Sequence, residues 1–345
     1  MAEKVLMKGN EAAGEAAITA GCRHFFGYPI TPQSELPAYL SKRFPKVGGI
    51  FLQAESEVAA INMVYGAASA GARVLTSSSS PGISLKQEGI SYIASSELPC
   101  LIINVMRGGP GLGTIQPSQA DYFQAVKGGG HGDYKLITLA QCSVQEIVDL
   151  VRMGFDLADQ YQNPAIILSD GMLGQMMEPV EFSDYCPKTV SKPWTVGIKG
   201  RKNSIASIYL DPVKLEKHNL HLQEKYKEIV RNEQRAELFM AEDAEIVIAS
   251  FGSVARIAKS AVKKLREDGI KAGLIRPITL WPFPEKFFEQ LKSVKKILTI
   301  ECSAGQMVED VKLAVKHKFP VEFFGRMGGI LPTIEEIVSE TKKLL

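Results

Sequence analysis

No apolar run in this chain approaches the ~20 residues needed to cross a bilayer. The opening segment MAEKVLMKGNEAAGEAA has neither the apolar core nor the cleavage pattern of a signal peptide. With both absent, the cytoplasm is the expected location and no membrane partner is expected. Charge of one sign is lacking too: 40 Lys and Arg face 38 Asp and Glu, a net +2. No strong field therefore points to nucleic acid. Cysteine is sparse. Cys22, Cys100, Cys142, Cys186 and Cys302 lie far apart and form no CxxC pair. That argues against a zinc ribbon or an iron–sulfur site within the chain. Reduced thiols, in the core or at the surface, are expected instead.

What is present suits a soluble globular protein. Of 345 residues, 45% are hydrophobic and 23% charged, and the length allows two domains. In residues 1–178, short apolar strands at 24–28, 49–53, 73–77, 100–106, 136–140 and 165–168 alternate with helices. The helices fall at 10–21, 34–42, 57–70, 83–95 and 144–160. This pattern predicts a parallel sheet covered on both faces. Residues 179–240 read as a connection followed by a charged surface helix over 215–240. In residues 241–345 the alternation returns, with strands at 245–250, 271–275, 296–301 and 321–324 and helices between them. The expected fold class is α/β, with two parallel-sheet domains.

Ligands of open α/β sheets bind beyond the carboxyl ends of the strands. Three loops there stand out: 27–32 (GYPITP), 77–82 (SSSSPG) and 107–113 (RGGPGLG). Each follows an apolar strand, so all three should meet at one edge. Pro29 and Pro32 stiffen the turn around Thr31, which either positions a hydroxyl or is only a turn. The serine run offers hydroxyls and N–H groups before a helix, fit for an anion or a polar ring, or simply for a solvated cap. The glycines after Arg107 lack a Walker lysine and the dinucleotide spacing. They read as a tight lid, and Arg107 as a carboxylate clamp or a structural ion pair. Glu57 stands where a strand gives way to a helix with an apolar face of Val58, Ala59, Ile61, Val64, Ala67 and Ala68. Burial there would favour the neutral form and let the carboxyl share a proton. A plain first-turn glutamate complementing the helix dipole fits the same position.

Together, YPITPQSE (28–35), QAESEVAAINMVYGAA (53–68), SSSSPG (77–82), RGGPGLGT (107–114) and KGGGHGDY (127–134) resemble the α subunit of 2-oxoacid:ferredoxin oxidoreductases. The likeness spans roughly the whole chain and is nearest to the branched-chain 2-oxoacid and 2-oxoglutarate groups. It implies a thiamine diphosphate pyrimidine-binding domain over 1–178 and a transketolase C-terminal-like domain over 241–345. By resemblance, Glu57 hydrogen-bonds N1′ of the aminopyrimidine. It is preferred to Glu55 because Gly66 lies nine positions on, where the family's helix has its glycine. Thr31 would sit near the reacting carbon, and Arg107 would bind the substrate carboxylate or developing oxyanion. Tyr28, Pro29, Ile30 and Ser80 would complete the cofactor pocket. Glu301 and Arg326, at strand ends of the C-terminal part, are expected in packing or at an interface.

One family feature is missing. No Gly-Asp-Gly followed by an Asn-Asn region occurs, and Asp170-Gly171 lacks the rest of that motif. The resemblance therefore implies no metal ligands here. It places Mg2+, the diphosphate and a 4Fe–4S cluster on a β subunit, with γ and ferredoxin-like δ subunits alongside. The implied reaction is oxidative decarboxylation of a 2-oxoacid with coenzyme A, giving acyl-CoA and CO2 and reducing ferredoxin. Two alternatives stay open: a non-catalytic scaffold with a degenerate thiamine site, and a self-sufficient thiamine enzyme of the decarboxylase or transketolase type.

Overall fold

A computed structural model describes residues 4–182 and 185–345, so the first three residues of the expected N-terminal domain and two of the expected connection lie outside it. Among the described residues the first eight strands are β1 (Lys4–Lys8), β2 (His24–Gly27), β3 (Ile50–Gln53), β4 (Val74–Ser78), β5 (Leu101–Met106), β6 (Ile137–Leu139), β7 (Ala165–Asp170) and β8 (Met177–Glu181). Six more follow: β9 (Ala236–Phe239), β10 (Ile246–Ala249), β11 (Ala272–Pro277), β12 (Thr279–Trp281), β13 (Lys296–Glu301) and β14 (Val321–Gly325).

The larger sheet runs β12-β6-β7-β5-β4-β2-β3. Its central strands are parallel, as continuous apolar runs buried on both faces require. The smaller sheet runs β14-β13-β10-β11-β9, parallel except at the β9 edge. Three features of the strand pairing depart from the sequence expectation. The charged helix ends at Asn232, because Ala236–Phe239 leaves it to pair antiparallel with β11. A three-residue strand from the C-terminal part, β12, crosses over and closes the edge of the larger sheet beside β6. β1 and β8 form a separate antiparallel ribbon.

The two sheets also share a core. Met106, Tyr122 and Leu168 from the N-terminal part pack in one cluster with Val247, Phe251, Ile275 and Met307. Burying this much apolar surface between the sheets fixes their relative placement. Among the described residues no helix is long and apolar enough to cross a membrane. Four cysteines are buried, Cys186 is exposed, and all five are free.

Candidate functional site

Because β2, β4 and β5 are parallel and β4 lies between the other two, the three loops leave the sheet on the same side. β3, next to β2, delivers its chain to that edge as well. There Ser56 adopts an extended backbone and its hydroxyl accepts from Ala59 N at 3.2 Å, starting the helix Glu57–Ser69. Glu57 is thus the first helical residue, and it is only 6% exposed despite its charge.

Glu57 reaches across to the start of the next helix, Ser80–Ser95. A Cβ added at Gly82 would lie 2.7 Å from Glu57 Oε1 and 2.1 Å from Ser78 Oγ. A bare glycine is what lets the carboxylate lie there, and the positive end of that helix favours it. The Ser78 and Ser79 hydroxyls are buried without a protein partner among the described residues. Orphaned buried groups of this kind mark a place where a polar ligand supplies the missing bonds. A buried carboxylate beside unpaired hydroxyls suits a flat ring with donors and acceptors on its edge. The sequence's choice of Ser80 resolves differently. Its hydroxyl donates to Asp121 Oδ2 at 2.6 Å and accepts from Arg107 N at 3.0 Å, so it fastens the Arg107 loop.

The 28–32 turn is pinned from beneath by Gln33, which is fully buried. Ser77 Oγ donates to Gln33 Oε1 at 2.5 Å, and Gln33 Nε2 donates to the Tyr28 carbonyl at 3.3 Å. Tyr28, Pro29 and Thr31 are exposed and Ile30 half-buried, so the turn presents itself outward. Arg107 joins this turn to its own loop, donating to the Thr31 carbonyl and the Leu112 carbonyl, each at 3.0 Å. Its Nε is buried and unpartnered. Among the described residues no carboxylate pairs with Arg107, so its positive charge is uncompensated locally, which suits an anion binder. The structure thereby brings Thr31, Arg107 and Ser80 into one bonded group, with Glu57 on the far side of the Ser80–Gly82 turn.

Sequence reasoning missed four polar residues here. Asn104 donates to Asp121 at 2.9 Å and accepts from Ser80 N at 3.2 Å. Burial raises the Asp121 carboxyl above its ordinary range, while these two partners oppose that. Gln33 and Lys86 are the other two. Asn104, a lone amide in the apolar run LIINVM, and Lys86, on the apolar stripe Ile83, Ile90, Ile93, were visible as buried-polar signals.

A cavity of about 380 Å³ lies between the two sheets. Ser80, Pro81, Arg107, Pro110 and Asp121 line it from one side, and Ser303, Ala304, Gln306 and Met327 from the other. Gln119 stitches the walls together. Its Nε2 donates to the Phe251 carbonyl at 2.7 Å and its Oε1 accepts from Cys302 N at 2.9 Å. Asp170 has a similar duty. It is fully buried, accepts from Met172 N and Leu173 N, and takes Ser253 N from the C-terminal part at 3.4 Å. Glu301 accepts from Gln306, Met307 and Val308 N–H groups, capping the helix that begins there. Arg326 pairs with Glu336 at 3.1 Å.

A family model described as pyruvate flavodoxin/ferredoxin oxidoreductase, thiamine diphosphate-binding, matches residues 15–245. A second, pyruvate:ferredoxin oxidoreductase core domain II, matches residues 244–337. The ketoisovalerate oxidoreductase subunit VorB of Methanothermobacter marburgensis is 52% identical over 98% of this chain and 97% of that protein. The 2-oxoglutarate synthase subunit KorA of Methanocaldococcus jannaschii is 36% identical over 96% and 97%. Among solved structures, a 2-oxoglutarate:ferredoxin oxidoreductase from Magnetococcus marinus, with 2-oxoglutarate, coenzyme A and succinyl-CoA bound, superposes with a TM-score of 0.91 at 28% identity. It covers 99% of this chain, which spans 65% of that longer one. A split-gene transketolase shares the fold at 15% identity, with a TM-score of 0.61 over 98% of this chain and 97% of that one.

Proposed function

The chain belongs to the 2-oxoacid:ferredoxin oxidoreductase family as one of its subunits, and from that premise we propose that Glu57 holds N1′ of the thiamine diphosphate aminopyrimidine. The carrying observation is a buried carboxylate packed on Gly82 beside the unpaired hydroxyls of Ser78 and Ser79. When bound, the cofactor supplies the nucleophilic carbon and the electron sink for decarboxylation. With the cofactor bound, Glu57 would hold a proton at N1′, the contact through which this chain would tune the ring for its chemistry. Arg107, already fixed by two carbonyls, offers its charge to the substrate carboxylate and later to the developing oxyanion. Thr31, on the stiff turn that Arg107 holds, places its hydroxyl near the same atoms. Tyr28, Pro29 and Ile30 form the outer wall, and Ser80 keeps Arg107 in place.

The reaction is oxidative decarboxylation of a 2-oxoacid with coenzyme A, yielding acyl-CoA and CO2 and passing electrons to ferredoxin. A β subunit brings the diphosphate, Mg2+ and a 4Fe–4S cluster, with γ and ferredoxin-like δ subunits in the complex. Between the two substrate groups the cavity favours a branched-chain oxoacid. Among the residues lining it Arg107 is the one cation, and a second carboxylate, as in 2-oxoglutarate, would need another.

The test is Glu57→Gln in the assembled complex, assayed with a viologen acceptor against 2-oxoisovalerate, 2-oxoglutarate and pyruvate. Turnover should fall by about a hundredfold or more, in line with loss of one acid–base group, while the complex stays intact. Wild-type turnover would refute the assignment. Preference of the wild-type complex for 2-oxoglutarate would refute the substrate reading alone.

A further inference from the structure

Asp121 stands at the start of the short helix Tyr122–Val126 and lines the cavity that Arg107 also lines. One of its oxygens, Oδ2, takes two donors: the Ser80 hydroxyl at 2.6 Å and Asn104 Nδ2 at 2.9 Å. Asn104 in turn accepts from Ser80 N at 3.2 Å, so Ser80, Asn104 and Asp121 close a ring. A carboxylate accepts without donating, which matches two donors that converge on one point. The ring is tied to Arg107, whose backbone N donates to Ser80 Oγ at 3.0 Å.

The Ser80 hydroxyl has one proton and two places to put it. Asp121 Oδ2 at 2.6 Å is the nearer, and the Arg107 carbonyl lies at 3.3 Å. While Asp121 takes the proton, an oxygen lone pair is left for Arg107 N. Without Asp121 the proton turns toward the Arg107 carbonyl, and the lone pair that steadies Arg107 N turns away with it. The segment carrying Asp121 is itself seated on the C-terminal part. Gln119 N donates to the Cys302 carbonyl at 2.8 Å and Tyr122 Oη to Asp310 Oδ2 at 2.6 Å. Between them, Gln306 Nε2 donates to the Ala120 carbonyl at 2.7 Å, and Gln306 Oε1 accepts from Phe123 N at 2.8 Å. Asp121 therefore lies inside a run held by the second sheet and its helix, while its side chain reaches back to the Arg107 loop.

We infer that Asp121 is a positioning residue for Arg107: through the Ser80 hydroxyl it carries the seating of the C-terminal part to the backbone of the arginine that receives the substrate carboxylate. This rests on the assignment of Arg107 above. Asp121 makes no bond to the substrate in this reading. It acts by fixing where the guanidinium starts from, and the Thr31 and Leu112 carbonyls fix where it ends. The C-terminal part thereby has a share in substrate binding beyond packing.

A double-mutant cycle in the assembled complex tests it, assayed with a viologen acceptor on the preferred 2-oxoacid. Asp121→Ala should raise the KM for the oxoacid about tenfold, the loss expected of one charge-assisted hydrogen bond. The KM for coenzyme A and the affinity for thiamine diphosphate should stay unchanged, whereas general loosening of the fold would move all three. In an Arg107→Ala background the same change should add less than about twofold, because the group it positions is gone. Asp121→Asn keeps an oxygen for both donors and should restore a KM close to wild type. Should Asp121→Ala fail to assemble, Ser80→Ala cuts the same relay from its other end and carries the same expectation. A wild-type KM in the alanine variant, an equal loss with and without the Arg107 side chain, or Asp121→Asn as poor as Asp121→Ala would overturn the inference. If Arg107→Ala alone leaves the oxoacid KM unchanged, the Arg107 assignment falls and this inference with it; a raised KM there beside a wild-type Asp121→Ala sinks this inference alone.

Discussion

Adding one methyl group at Gly82 should disable this chain without unfolding it. The added Cβ would meet Ser78 Oγ at 2.1 Å, Glu57 Oε1 at 2.7 Å and Glu57 Cγ at 3.1 Å. Ser78 can turn its unpartnered hydroxyl aside at little cost. Glu57 has less freedom, since its backbone is fixed as the first residue of a capped helix. Restoring van der Waals contact near 3.4 Å means moving the carboxylate by roughly 0.7 Å. A displacement of about 1 Å at a reacting group can cost on the order of a hundredfold in rate. On the stability side, alanine in a helix is favoured over glycine by about 1 kcal/mol, which offsets part of the clash. Gly82→Ala is therefore expected to assemble, to keep its Tm within a few degrees, and to lose roughly ten- to a hundredfold in viologen-linked turnover. Gly66→Ala is the control for propensity, because nothing lies within 4 Å of a Cβ there; it should raise the Tm of the chain. Turnover of Gly82→Ala within twofold of wild type would refute the claim that Glu57 works from this position.

Two further outcomes follow from the same geometry. Gln119→Ala strips partners from the buried Phe251 carbonyl and Cys302 amide; at about 1–3 kcal/mol for each orphaned group, denaturant unfolding should show a loss of about 3 kcal/mol, and a loss under 0.5 kcal/mol would show that the stitch between the sheets is dispensable. The Lys86 amine titrates near 7 when folded against an ordinary value of 10.5, so between these pH values the unfolded chain holds the proton and the folded chain does not. Stability must rise with pH across that window, and the rise, measured as wild type minus Lys86→Met by chemical denaturation at pH 7 and pH 10, should amount to several kcal/mol; a flat difference would place the amine in water.

Much of the fold was legible because the central strands are short, apolar and separated by helices. β4, β5, β7, β10 and β13 fall where hydrophobic runs put them. What escaped notice depends on pairing rather than on local pattern. β12 is three residues long and is a strand only because β6 offers it an edge. β9 carries an ordinary helical composition and is extended because β11 lies beside it. The candidate site divides in the same way. Glu57 at a strand-to-helix switch and Arg107 at a strand end were readable from position. Which serine faces the carboxylate was not, since side-chain direction at such a switch depends on the neighbouring strands. Ser80 turned out to serve Arg107, and Ser78 to lie against Gly82 beside Glu57.

The carboxylates of the chain bear on why a shared site is the better reading. The Mg2+ that accompanies a diphosphate needs acidic or amide oxygens free to coordinate. Asp170, the one residue whose sequence context hinted at that role, spends its oxygens on the N–H groups of Met172, Leu173 and Ser253. Glu301 is spent on a helix start, and Asp121 on Ser80 and Asn104. The cluster Cys142, Glu146 and Glu237 has metal-like spacing, but its centre is taken: Arg276, 2% exposed, pairs with Glu146 at 2.6 Å and with Glu237 at 2.8 Å. Meanwhile the rim around Arg107 leaves Leu112, Ile115, Met327 and Ile330 more than half exposed, an apolar border of the kind that another surface covers. A self-sufficient thiamine enzyme would need its acidic groups free and this border closed. Here Asp170, Glu301 and Asp121 are committed to folding and the border is open, which supports the proposal that this chain holds one end of the cofactor and a partner the other.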